Sequence, residues 1–244
     1  MTSNPFISCP SKIAPDTRLA LARMHVPGQR SFFFFGENAA VGTAYEDIWP
    51  TGGDIPWQTT ASTVSVYSSD AAEVDSSLSY IRINKMHNET VGTYGGSHKG
   101  DITLRVTSGS KSGAIMSVMT GVEGSVDTSV QYGYGEAQNG FYSVPLGKVM
   151  YITSIEVVTN IGTNKSVDVV LYEREGILNT SAPFDPRRVI WSEAGVDVPL
   201  EKPFTSHIKI KALTDVFFRG LGSAASKIEV YCDFYLVDAD SEGA

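Results

Sequence analysis

Two cysteines in 244 residues, no apolar run longer than the Phe32–Phe35 quartet, and only 19 basic residues against 27 acidic ones set the first limits on this chain. Cys9 lies in a proline-rich leader and Cys232 in a strand-like segment, so the sequence offers no disulfide framework. A bilayer span needs roughly 20 consecutive apolar residues, and nothing approaches that length, so no membrane partner is expected. A formal net charge of −8 and a pI near 5.0 leave no surplus of Lys and Arg to neutralise phosphates, so nucleic acid is not an expected partner.

Chemistry-bearing motifs are equally scarce. The four histidines, His25, His87, His98 and His207, are scattered, with none of the close His or Cys pairs that a zinc site requires. No calcium loop with alternating aspartates occurs, so no metal and no cofactor is expected. "SGSKSG", Ser108–Gly113, fails the spacing of a nucleophile elbow and that of a phosphate loop. It fits the tip of a hairpin. The sequons at Asn88, Asn164 and Asn179 stand without a secretory leader, and synthesis in a cytosol is expected.

What the chain has in quantity is alternation. "DITLRVTS" sets Ile102, Leu104 and Val106 on one face and Thr103 and Arg105 on the other. In "KIEVYCDFYLVD", Ile228, Val230, Cys232, Phe234 and Leu236 face inward, and Tyr231, Asp233 and Tyr235 outward. "KVMYITSIEVVTN" is apolar on both faces, as in a central strand covered on both sides. "TVSVYS", "YIRIN", "AIMSVM", "HIKIKA", "SVDVVLYE" and "DVFFRG" add short strands between Gly-rich turns. Such spacing predicts an all-β fold, a β-sandwich or jelly roll. Pro5, Pro10 and Pro15 mark residues 1–30 as an extended arm, in which Pro15–Met24 fits a helix and an extended segment alike. A soft break near Ser129–Gly140 divides a β region at about 31–130 from a more regular sandwich at about 141–238. Whether the two share a core stays open at this level.

Two stretches invite a functional reading. "TAYEDIWPTGGDIPW", Thr43–Trp57, gathers Tyr45, Ile48, Trp49, Pro50 and Trp57 with Glu46, Asp47 and Asp54. Two carboxylates about 5 to 10 Å apart beside sugar-stacking rings could hydrolyse a glycoside. Trp-Pro followed by Gly-Gly is more simply a turn that plugs a sandwich or meets a neighbouring subunit. In "SFFFFGEN", successive strand side chains point to opposite faces, so Phe32, Phe33, Phe34 and Phe35 cannot all enter one core. A central strand buried on both faces and a subunit interface explain them equally.

"AYEDIWPTGGDIPW", "GDITLRV", "NGFYSVPLGKVMYITSIEVVTN", "KSVDVVLYERE" and "DVFFRGLG" with "IEVYCDFYLVD", in that order, resemble a family of β-rich virion proteins of tailed bacteriophages, of capsid cement or decoration type. The resemblance spans most of residues 30–238 and carries no catalytic motif. It implies a non-enzymatic virion component made in the host bacterial cytoplasm, assembling as a homotrimer and binding the major capsid protein. Contacts are expected at Phe32–Phe35, Tyr45, Ile48, Trp49, Pro50 and Trp57, with the arm reaching a neighbour or the shell. The alternative is a tail or fibre-base adaptor in which Tyr94, Tyr132, Tyr134 or Trp191 stacks a host glycan.

Overall fold

Alternation on the page becomes antiparallel pairing in space. The computed structural model describes residues 31–58, 61–68, 71–86, 101–109, 111–119, 137, 139–160, 165–177 and 187–239. The arm at 1–30, its proposed helical stretch, the three sequons, and Tyr94, Tyr132 and Tyr134 lie outside the described residues. Among the described residues there are thirteen strands and no helix. They are β1 (Ser31–Val41), β2 (Glu46–Asp47), β3 (Ser62–Ser68), β4 (Ala71–Tyr80), β5 (Ile102–Val106), β6 (Ile115–Met119), β7 (Phe141–Ser143), β8 (Lys148–Asn160), β9 (Val167–Arg174), β10 (Arg188–Val196), β11 (Leu200–Ile210), β12 (Asp215–Gly222) and β13 (Ser226–Asp238).

Three sheets result. Sheet A has the order β1-β13-β8-β11, sheet B the order β10-β9-β12 with β7 and β2 on the far edge of β12, and sheet C the order β4-β3-β5-β6. Sheets A and B face each other across the main core. Phe34, Met150, Ile152, Ile155, Ile228, Val230, Cys232 and Phe234 enter it from one side, and Val167, Val169, Leu171, Val216 and Phe218 from the other. Cys232 is a free thiol within this layer, its pKa pushed well up by burial. The expected inward set of β13 is therefore found, except that Leu236 is only partly buried.

Pairing crosses the soft break at 130–141. β1, which opens the first region, lies antiparallel to β13, which closes the second, with Phe34 opposite Cys232. After Val41 the chain adds β2 to the far edge of β12 in sheet B, builds sheet C from β3, β4, β5 and β6, and returns to sheet B at β7. Gly36 and Gly140 make the crossing possible: a Cβ on Gly140 would sit 2.0 Å from the carbonyl oxygen of Ile48, and one on Gly36 would sit 2.3 Å from Gly140 Cα.

Two expected strands read differently in space. "YIRIN" stops pairing at Tyr80, because Arg82 turns away to donate to the carbonyls of Gln58 and Ile81 at 2.7 Å each and to a carboxylate of sheet B. β8 is central in sheet A, as expected, yet its apparent two-faced hydrophobicity has a second cause. Met150 and Ile152 face the core, and so do Ile155 and Val157, an odd step that a bulge at Thr153 absorbs. "SGSKSG" does form the tip of the β5–β6 hairpin, with Gly109 and Gly113 at φ +83° and +82°.

Candidate functional site

β12 organises the richest cluster of side chains outside the main core. Its even positions, Val216 and Phe218, point into the sandwich, which turns Asp215, Phe217 and Arg219 onto the outer face of sheet B. The Thr43–Trp57 stretch lies across that face. It folds back through a turn in which Gly52 N–H donates to the Trp49 carbonyl (3.0 Å), with Gly52 and Gly53 at φ +68° and +73°. Ile48 N–H donates to the Phe218 carbonyl at 3.0 Å, and Phe218 N–H to the Gly140 carbonyl at 2.9 Å, so the stretch is stitched to β12 by backbone. Trp49, Ile55, Phe141, Phe217 and, from sheet C, Val118 make a second apolar core with Trp57, Ile115 and Tyr172 at its margin.

Charges close both ends of this second core. Asp215 is fully buried. Its oxygens accept from Arg82 Nε and Nη2 at 2.9 Å each, from Ser143 Oγ at 2.5 Å, and from Arg174 Nη2. The Arg82 and Arg174 guanidiniums flank Trp57, 4.8 and 4.6 Å from its ring centroid, an arrangement that attracts cation to ring face. Phe141 and Phe217 meet the same ring edge-on at 5.1 and 5.3 Å. The Trp57 indole N–H is buried without a hydrogen-bond partner. At the other end, Arg219 Nε lies 2.9 Å from Asp47 Oδ1, in ion-pair reach though not aligned as a hydrogen bond. Its Nη2 donates to Asp54 Oδ1 at 3.1 Å and to the Tyr45 carbonyl at 2.6 Å.

Of the carboxylates named for glycoside chemistry, Asp47 is enclosed, whereas Asp54 binds Arg219 with its side chain 71% exposed. Asp47 accepts from the Ile55 amide at 2.7 Å, and Asn38 Nδ2 reaches Glu46 at 3.4 Å. Burial raises the Asp47 pKa, against the lowering pull of the Ile55 amide and Arg219. A raised carboxyl beside Trp49 is what a hydrolytic site would also need. Here, however, the side chain is fully enclosed and out of reach of a substrate.

The residues named for subunit contact separate into two groups. Phe34, Phe35, Ile48 and Trp49 are buried in the chain's own packing. Phe34 is 5% exposed among Tyr142, Phe218 and Phe234, and Trp49 is 1% exposed. Phe35 stacks on Tyr231 at 5.4 Å, which buries the tyrosine that alternation had placed outside. Phe32 and Tyr45 remain 38% exposed, and Phe33, Pro50 and Trp57 are half-buried. Trp191 packs half-buried against the main core.

Sequence reading missed Asp215, Arg82, Arg174, Ser143 and Arg219. Part of the signal is visible in "DVFFRG", where an acid and a base two places either side of Phe217 must share its face. The partners Arg82 and Arg174 come from distant segments and carry no local mark. Compared with known proteins, the chain matches no family model and no curated sequence.

Proposed function

We propose that this chain is a non-enzymatic structural protein of a tailed-bacteriophage virion, a capsid cement or decoration protein that stabilises the shell through oligomeric contacts. The observation that carries the reading is the strand order. β1-β13-β8-β11 facing β7-β12-β9-β10 supports reading this sandwich as a jelly roll, a double-sheet architecture at home in viral capsid proteins. Lectins and cupins use it too, so the reading also leans on the site. The acids and arginines that could have lined a cleft bind one another across the β12 face, and the Trp-rich stretch packs β6 of sheet C against β12. The sequence resemblance and the net charge of −8, unsuited to packaged nucleic acid, point the same way.

In this reading Phe32, Phe33, Tyr45 and Pro50 supply contacts to further copies in a homotrimer or to the major capsid protein. Copies per purified particle, counted by quantitative mass spectrometry against the major capsid protein, test it. A ratio of one or a simple fraction of one is expected. A handful of copies would transfer the protein to the tail or a vertex, and absence from particles would overturn the virion reading.

A further inference from the structure

The outer face of sheet B ends in a group of side chains rich in donors and short of acceptors. Asp215 of β12 lies opposite Arg174 of β9, and the next row sets Phe217 beside Tyr172. Arg187, one residue before β10, lays its guanidinium 5.4 Å from the Phe217 ring centroid. The guanidiniums of Arg82 and Arg174 lie 4.8 and 4.6 Å from the Trp57 ring, whose centroid is 5.3 Å from that of Phe217. Three cations thus converge on two adjacent rings.

Their hydrogen-bonding capacity is unevenly spent. Arg82 is largely used, by Asp215 and by the carbonyls of Gln58 and Ile81. Arg174 makes one hydrogen bond, to Asp215, of the five its guanidinium can donate, and Arg187 makes none among the described residues. Two further donors are orphaned: Trp57 Nε1 and Gln58 Nε2 are buried without a partner. Gln58 is 4% exposed, and its carbonyl is held by Arg82. Neighbouring acids are engaged elsewhere, Glu173 by Arg188, Glu175 by Lys211, and Asp47 and Asp54 by Arg219. Arg187 attracts Asp47 electrostatically without forming an ion pair with it. Asp168, the other acid of β9, lies six residues from Arg174 and accepts from the Gly195 amide.

We propose that this cluster is a binding site for a small oxyanion, a phosphate or a carboxylate, held by Arg174, Arg187 and the Trp57 indole N–H. Every unspent group named here is a donor, which suits a ligand that only accepts and not a cation or a polyol. Planar guanidiniums match the paired oxygens of phosphate and carboxylate, and each bond they make to an anion is charge-assisted. Access follows the exposure of the arginines: the Arg82 side chain is 7% exposed, that of Arg174 19%, and Arg187 is open to solvent. The net charge of −8 disfavours anion uptake elsewhere on the chain, so a saturable response reports local donors.

The indole N–H resonance of Trp57, assigned by its loss in Trp57→Phe, reads the site. Inorganic phosphate and acetate are titrated separately into the whole chain, with sodium chloride keeping the ionic strength constant. A saturable shift of that resonance is expected with at least one of them, while the Trp191 indole stays in place. Tighter binding of phosphate would assign a tetrahedral ligand, and tighter binding of acetate a carboxylate. Arg187→Gln alters an exposed side chain outside the Asp215 network, so its melting temperature in chloride should match wild type. Its affinity for the anion should fall about tenfold or more, the loss of one charge-assisted hydrogen bond. No saturable shift with either anion, or an unchanged affinity in Arg187→Gln, would overturn the site.

Discussion

Asp215→Ala is expected to cost ~3–5 kcal/mol of stability, the range for removing one partner of a buried charge pair. The carboxylate is fully buried, and its loss strands Arg82, whose side chain is 7% exposed, together with Arg174 and Ser143 Oγ. An unpaired guanidinium at that depth cannot recover its hydration without opening the interface between β12 and residues 42–86. Against the ~5–15 kcal/mol that a domain commands, such a loss puts folding at risk. Urea titration should show a lower midpoint, and limited proteolysis should cut between residues 42 and 140 before it cuts the sandwich. Asp215→Asn keeps the shape and an acceptor for Ser143 and should lose less. A midpoint within 1 kcal/mol of wild type in the alanine variant would mean that the apolar core around Trp49 and Phe217 alone holds the two layers together.

What was legible in the sequence followed from period-two alternation, because that signal is local. β5, β9, β12 and β13 were found as strands, and the alternation in β5 and β13 also assigned their inward faces. β8 was found but its faces were not, because a bulge shifts the phase between Ile152 and Ile155 and mimics burial on both sides. β4, "AAEVDSSLSY", was missed. It is an edge strand with Val74 and Leu78 exposed and a register break against β3, so it has neither a buried face nor a steady phase to leave in the sequence. The candidate site was half legible. Trp49, Trp57 and their acids stood out by composition, whereas Arg82 lies 133 positions from Asp215, and no spacing rule joins them. The soft break near residue 130 was a change in texture. The hydrogen bonds between β1 and β13 ignore it.

The phenylalanine run gives the sharpest separation of folding from assembly, because its members divide between the two. Phe34→Ala should cost ~3–5 kcal/mol, since the ring is 5% exposed and its centroid lies 5.8 Å from that of Phe218 and 6.1 Å from that of Phe234. That loss belongs to the chain itself and should appear at every protein concentration. Phe32 is 38% exposed and stacks on Phe234 at 5.7 Å, so Phe32→Ser removes only part of a buried ring and should change monomer stability far less. If exposed aromatics hold copies together, the same change should weaken the oligomer, seen as smaller species in sedimentation and as a melting temperature that no longer climbs with concentration. The two variants therefore have opposite signatures, one insensitive to dilution and one defined by it. A folded, stable monomer released by Phe34→Ala would place that ring between subunits after all. An oligomer untouched by Phe32→Ser would move the search for contacts to Tyr45 and Pro50 on the other side of β12.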